Sequence, residues 1–209
     1  MLPLSLELAR LRLVLIGTGA LGLRRLRLLD EAGADALMVF SPVPSPELSF
    51  AAGERLQRRW PQHGELERAQ LVFIADVAEP DRSALAAAAR AAGAILHVED
   101  APELSNSHAP AVLRRGALTI AVSTGGAAPG LAAEIKQFLA GIFGPEWQER
   151  ITRMHALRQR WRRTGFDHER VRRLTAARIG RYGWLKQSRM APVANDRGGV
   201  LKETEGGLT

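Results

Sequence analysis

The chain is 209 residues long, contains no cysteine, and carries 29 Lys and Arg against 22 Asp and Glu, a formal net charge of +7. That length buries a core without covalent staples. The missing cysteine excludes a disulfide framework, a thiolate nucleophile and a thiolate metal site, and is compatible with a reducing compartment and so with the cytoplasm.

Residues 1–10 alternate apolar and polar side chains, with Glu7 and Arg10 among them, and do not read as a signal peptide. No apolar run approaches the roughly eighteen residues of a membrane span, so no membrane partner is expected. Five Val, Ile and Leu-rich runs of strand length follow: Leu11–Ile16, Ala36–Phe40, Leu71–Ala75, Ala94–Val98 and Leu118–Val122. Helical patterns lie between them at Leu21–Glu31, more weakly at Glu54–Trp60, and at Asp81–Ala92, while the proline-rich Ser41–Pro46 reads as loop. Alternating strands and helices predict a parallel sheet covered on both faces.

After Ser123 a Gly/Pro turn leads into an amphipathic helix at about Leu131–Ile142, and Glu146–Leu185 reads as arginine-rich helix. The expected organisation is a dinucleotide-type domain at 1–112, a short element at 113–145, a helical basic module at 146–190 and a disordered tail at 191–209. Charge follows this division. Residues 1–112 hold 11 Lys and Arg against 14 Asp and Glu, and residues 113–190 hold 16 against 5. Such a field suits nucleic acid, anionic lipid or a polyanionic small molecule. No helix-turn-helix, zinc finger or aromatic RNA platform is present to favour nucleic acid.

Gly17, Gly19 and Gly22 form G-x-G-x-x-G directly after one strand pattern and directly before a helix pattern. Gly17 permits the tight turn, Gly19 lets backbone approach a pyrophosphate, and Gly22 lets helix pack on strand. Thr18, Ala20 and Leu21 complete a loop whose free N–H groups face phosphate. The second strand ends in Ser41 where an acidic residue would hold the ribose 2′-hydroxyl, so Ser41 is either a ribose contact or a turn residue. The third ends in Ala75 and Asp76. Asp76 either contacts ribose or caps the helix that follows it. Arg24 and Arg25 are either phosphate neighbours or a solvated helix face.

A second signature, "HVEDAPELSNSHAPAVLRRGALTIAVSTGGAAPGLAAEI" at 97–135, joins the glycine loop. Together they resemble the bifunctional precorrin-2 dehydrogenase/sirohydrochlorin ferrochelatase family, over residues 8–145. The matching segments are Gly17–Gly22, Asp100–Asn106 and Ala121–Ala132. The resemblance implies a Rossmann-type α/β domain, a small dimerisation element and an α-helical basic module. It also implies NAD-dependent oxidation of precorrin-2 to sirohydrochlorin, in some members metal insertion (ferrous iron or cobalt) at the same site, and a homodimer with a tetrapyrrole substrate.

Asp100 matches the residue that the family links to both chemistries. At the carboxyl end of a strand it suits a proton acceptor, and equally a turn cap ahead of Pro102. Asn106 matches the family's Asn, which orients the loop or the nicotinamide amide, and equally suits a turn cap. Ser123, Thr124 and Gly125 match the turn at the substrate cleft, and the same residue types also end strands and cap helices. His97 reads as a satisfied strand residue, and His108 as the one histidine near the proposed site. Ser107 stands where the family carries an aromatic residue. No resident metal site is expected, since no cysteine pair or H-x-x-x-H spacing is present. The arginines of the C-terminal half are assigned to substrate carboxylates or to solvent. A dinucleotide-binding sensor or scaffold with no activity is the competing expectation.

Overall fold

The computed structural model describes residues 2–185. The tail at 191–209 and the last residues of the basic module lie outside them. Five strands form one parallel sheet in the order β3-β2-β1-β4-β5, where β1 is Arg12–Gly17, β2 Ala36–Phe40, β3 Leu56–Gln57, β4 Leu71–Ala75 and β5 Ile95–Val98. The central strands read as unbroken apolar runs because both faces are buried. Leu13 and Leu15 of β1 face one side with Leu37, Val39, Leu71 and Phe73, packed by Leu26 and Leu29 of α1 (Ala20–Glu31) and Leu48 of α2 (Pro46–Ala52). Val14 and Ile16 face the other side with Phe40, Val72, Ile74 and Leu96. Leu66 of α3 (His63–Glu67) and Leu85, Ala86 and Ala89 of α4 (Asp81–Ala91) cover them.

The chain winds outward from β1 through β2 to β3 and then returns to β4 beside β1. The carboxyl ends of β1 and β4 therefore flank the point where strand order reverses, the place at which open α/β sheets bind ligands.

Several expectations are corrected. Residues 54–60 form no α-helix: a 3-10 turn at Gly53–Arg55 feeds β3, because α2 has already formed upstream and Gly53, at φ +55, turns the chain out of it. The Ser45 hydroxyl accepts a bond from the Leu48 N–H at 3.1 Å, and Pro46 starts the helix, so the prolines that read as loop include a helix start. Leu118–Val122 (β7) is not a fifth buried strand. It pairs with β6 (Ala111–Arg115) in a separate two-stranded sheet, and its alternate residues are exposed. Gly116, at φ +57, takes the first position of the two-residue turn between them.

Residues 146–185 form two helices, α6 (Trp147–Arg163) and α7 (His168–Tyr182), after α5 (Pro129–Ile142). Gly165 at φ +81 breaks the run, and the Asp167 carboxylate restarts it by accepting from the Arg170 N–H at 2.7 Å. Two compact units result, one of residues 1–111 with 122–132, the other of 112–121 with residues from 133 onward.

In the second unit Met154 and Val171 are buried, and the arginines are not uniformly solvated. Arg150 lies over the Trp147 ring at 5.0 Å, Arg153 over Tyr182 at 4.6 Å and Arg170 over Phe166 at 3.8 Å. Part of the basic face is thus engaged by aromatic rings.

Candidate functional site

The glycine turn packs as its spacing demands. A methyl group at Gly17 would stand 2.9 Å from the Ala75 carbonyl oxygen and 3.2 Å from the Gly22 Cα, and one at Gly22 would meet the Gly17 Cα at 3.4 Å. The turn is this tight because α1 starts against the ends of β1 and β4 together. Ser45 N–H donates to the Thr18 carbonyl at 2.8 Å, fixing the loop after β2 to the same turn.

The first N–H groups of α1 have no partner inside the helix. Two of them, on Leu21 and Gly22, donate to Asp76 Oδ2 at 2.6 and 3.2 Å. The Asp76 carbonyl in turn accepts from the Thr18 hydroxyl. Asp76 therefore caps α1, not the helix that follows it. Its backbone sits at φ +55, in the left-handed region. Ser41, at the end of β2, is fully buried, and its hydroxyl has no hydrogen-bond partner among the described residues. With no exposed surface it is not placed to contact a ribose.

Asp100, two residues beyond the end of β5, lies in the same backbone region, at φ +57. Asp76 and Asp100 are the non-glycine residues with positive φ among those described, and both follow strands at the carboxyl edge of the sheet. Backbone strain of this kind costs about 1–3 kcal/mol and concentrates at functional sites. The Asp100 side chain is exposed and makes no hydrogen bond among the described residues, and the 3-10 turn at Pro102–Leu104 has no side-chain cap.

Beyond Asp100 the chain doubles back along β5. The Ser105 hydroxyl accepts from Val98 N–H at 2.9 Å. Asn106 accepts from Leu96 N–H at 2.7 Å and donates to the Ala94 carbonyl at 3.2 Å, and Ser107 donates twice to the Leu96 carbonyl. One N–H and the oxygen of the Asn106 amide thus hold the loop to the strand edge, while the residue stays exposed. The His108 ring then lies against Gly126, where a methyl group would stand 3.8 Å from its Cε1 and Nδ1. In that turn the Ser123 hydroxyl accepts from Gly125 N–H and the Thr124 hydroxyl from Ala128 N–H, each at 3.2 Å. The structure thus joins Gly17–Gly22 to Ala75 and Asp76, and His108 to the 123–126 turn.

Arg25 belongs elsewhere. Its guanidinium binds Glu99, contacts His97 at 3.3 Å and lies over the Phe73 ring at 5.1 Å, while Arg24 is exposed. His97 also approaches the Ser107 carbonyl at 3.1 Å, as suits a satisfied strand histidine. Burial pushes the Glu99 carboxyl up, but the His97 hydrogen bond and the Arg25 charge outweigh it and hold the group at about 2. This network ties α1 to β5 and escapes sequence inspection, because Arg25 and Glu99 are 74 positions apart and no periodicity links them. Among the described residues no three His, Asp or Glu side chains converge as metal ligands, and no helix is long and apolar enough to cross a membrane.

Residues 4–111 match a family described as putative NAD(P)-binding, and residues 115–141 match the sirohaem biosynthesis protein central family. The precorrin-2 dehydrogenase of Bacillus subtilis (strain 168) is 30% identical over 164 residues, covering 77% of this chain and 99% of that one. The siroheme synthase of Chromobacterium violaceum is 38% identical over 145 residues, 67% of this chain and 30% of that one. The siroheme synthase of Ectopseudomonas mendocina (strain ymp) is 34% identical over 147 residues, 68% of this chain and 32% of that one. The chain spans about a third of the length of these siroheme synthases. A solved structure, SirC, precorrin-2 dehydrogenase, shares the fold with a TM-score of 0.70 at 21% identity, over 88% of this chain and 92% of that one. The glycine turn at the strand-order reversal and the near-complete span of the Bacillus protein lead to one assignment: the chain belongs to the precorrin-2 dehydrogenase and siroheme synthase family.

Proposed function

We propose that this protein oxidises precorrin-2 to sirohydrochlorin in siroheme biosynthesis, using NAD. The observation that carries this reading is the carboxyl edge of the sheet. Along it lie a glycine turn whose first helix N–H groups take an anionic oxygen and, after β5, an aspartate of strained backbone and unpaired carboxylate. The turn suits a dinucleotide on two counts. A methyl group at Gly19 would crowd the seat, and an anionic oxygen, that of Asp76, already rests on its N–H groups. Gly17, Thr18, Gly19, Ala20, Leu21 and Gly22 would hold the pyrophosphate, with Asp76 bordering it and Ser41 and Ala75 buried at the carboxyl ends of β2 and β4. NAD bound there supplies a two-electron hydride acceptor.

Dehydrogenation removes a hydride and a proton from the substrate. Asp100 takes the proton, its carboxylate being free of internal partners. Asn106 holds the loop, and His108, Ser123, Thr124 and Gly125 receive the tetrapyrrole, whose carboxylates suit arginine forks. In metal insertion, with ferrous iron or cobalt as substrate, the same carboxylate would accept pyrrole protons.

The homodimer expectation gains support from α5. Leu131, Ile135, Phe138 and Ile142 recur at helical spacing, and between 37 and 56% of each is exposed. Absence of cysteine fits a cytoplasmic location. A dinucleotide-binding sensor or scaffold is the second reading, favoured by Ser41 standing where an acidic residue would hold the ribose 2′-hydroxyl. Incubation of the purified protein with precorrin-2 and NAD separates the two: NADH accumulates if it is a dehydrogenase, while NAD binding without turnover identifies a sensor.

A further inference from the structure

Asp100 is accounted for by the proposed chemistry, but Asp76 is not. Its Oδ2 takes the Leu21 and Gly22 N–H groups, the donors that a pyrophosphate uses at this kind of turn. A methyl group at Gly19 would stand 2.9 Å from Oδ2 and 3.3 Å from Cγ, so the loop closes on the carboxylate as it would on a phosphate oxygen. The first turn of α1 carries no acidic residue of its own; the anion is delivered from β4, 55 positions away in the chain.

The backbone of Asp76 is held, because its carbonyl accepts from the Thr18 hydroxyl. Its side chain is exposed, and a rotamer change carries the carboxylate into water without disturbing the core. A carboxylate and a pyrophosphate repel one another and cannot share the same N–H donors.

We infer that Asp76 is a resident anion that occupies the phosphate seat at the start of α1 and competes with the dinucleotide for it. This rests on the dinucleotide reading given above and deepens it: Asp76 sets cofactor affinity as an occupant, not as a ligand. Only molecules whose Asp76 has swung out bind cofactor, so the apparent affinity falls by the fraction of time that the seat is open. A seat open one-tenth of the time weakens binding about tenfold.

Titration calorimetry of NAD, and separately of inorganic pyrophosphate, on the full chain and on Asp76→Ala and Asp76→Asn tests this. The inference predicts that NAD binds Asp76→Ala about tenfold more tightly than wild type, and that pyrophosphate gains in the same direction. Asp76→Asn keeps an acceptor without the charge, so it falls between the two. It also decides the matter if loss of the cap prevents Asp76→Ala from folding. Equal or weaker NAD binding in the folded variants overturns the inference and leaves the dinucleotide reading intact. If neither wild type nor variants bind NAD, the dinucleotide reading falls and the inference falls with it.

Discussion

Gly17 and Gly19 lie two residues apart in one turn, yet a methyl group at each meets a different kind of neighbour. At Gly17 the obstacles are the Ala75 carbonyl and the Gly22 Cα, both backbone, whereas at Gly19 the obstacle is the exposed side-chain carboxylate of Asp76. Gly17→Ala is therefore expected to lose about 2 kcal/mol, as overpacking against fixed atoms does. Gly19→Ala should lose under about 1 kcal/mol, close to the cost of a poorer N-cap residue. Urea unfolding of both variants measures this, and equal losses would contradict the difference drawn between backbone and side-chain neighbours. The glycine turn was legible in the sequence because strand, turn and helix are contiguous there and each glycine answers a local need. Asp76 was not, since its carboxylate serves a helix 55 positions earlier in the chain.

The helix α1 is tied to β5 by the half-buried pair Arg25–Glu99, with side chains 12 and 23% exposed and His97 alongside. The folded protein holds the Glu99 carboxyl at about 2 against an ordinary 4.5. Its contribution is thus fully present above pH 4.5 and lost as pH falls toward 2. At neutral pH Glu99→Gln should cost about 2 kcal/mol. Denaturant titrations across pH should show that gap closing in the acid window; a gap independent of pH would mean that the pair does not couple the elements. The exposed apolar row on α5 gives a second expectation. Phe138→Glu should yield a monomer by light scattering where the wild type is a dimer, and a monomeric wild type would remove the interface. Among the elements, the buried strands were legible as unbroken Val, Ile and Leu runs. Two failures have physical causes. The S-P-E-L cap of α2 was hidden among prolines, and Leu118–Val122 looks buried by composition but alternates in exposure within a hairpin.

Across the whole chain charge and chemistry are segregated, with the sheet and its glycine turn in the first unit and the arginine excess in the helices of the second. Ring contacts at Arg150, Arg153 and Arg170, and the Arg172–Glu169 ion pair, engage part of that excess. The central claim is that Asp100 performs chemistry at the edge that binds cofactor. Asp100→Asn keeps the size of the side chain and removes the basic carboxylate, so it separates catalysis from binding. The direct measurement is NADH formation from precorrin-2 and NAD by wild type and Asp100→Asn, with NAD affinity measured on both. The account predicts turnover lower by about a hundredfold or more at nearly unchanged affinity; wild-type turnover in Asp100→Asn would contradict it.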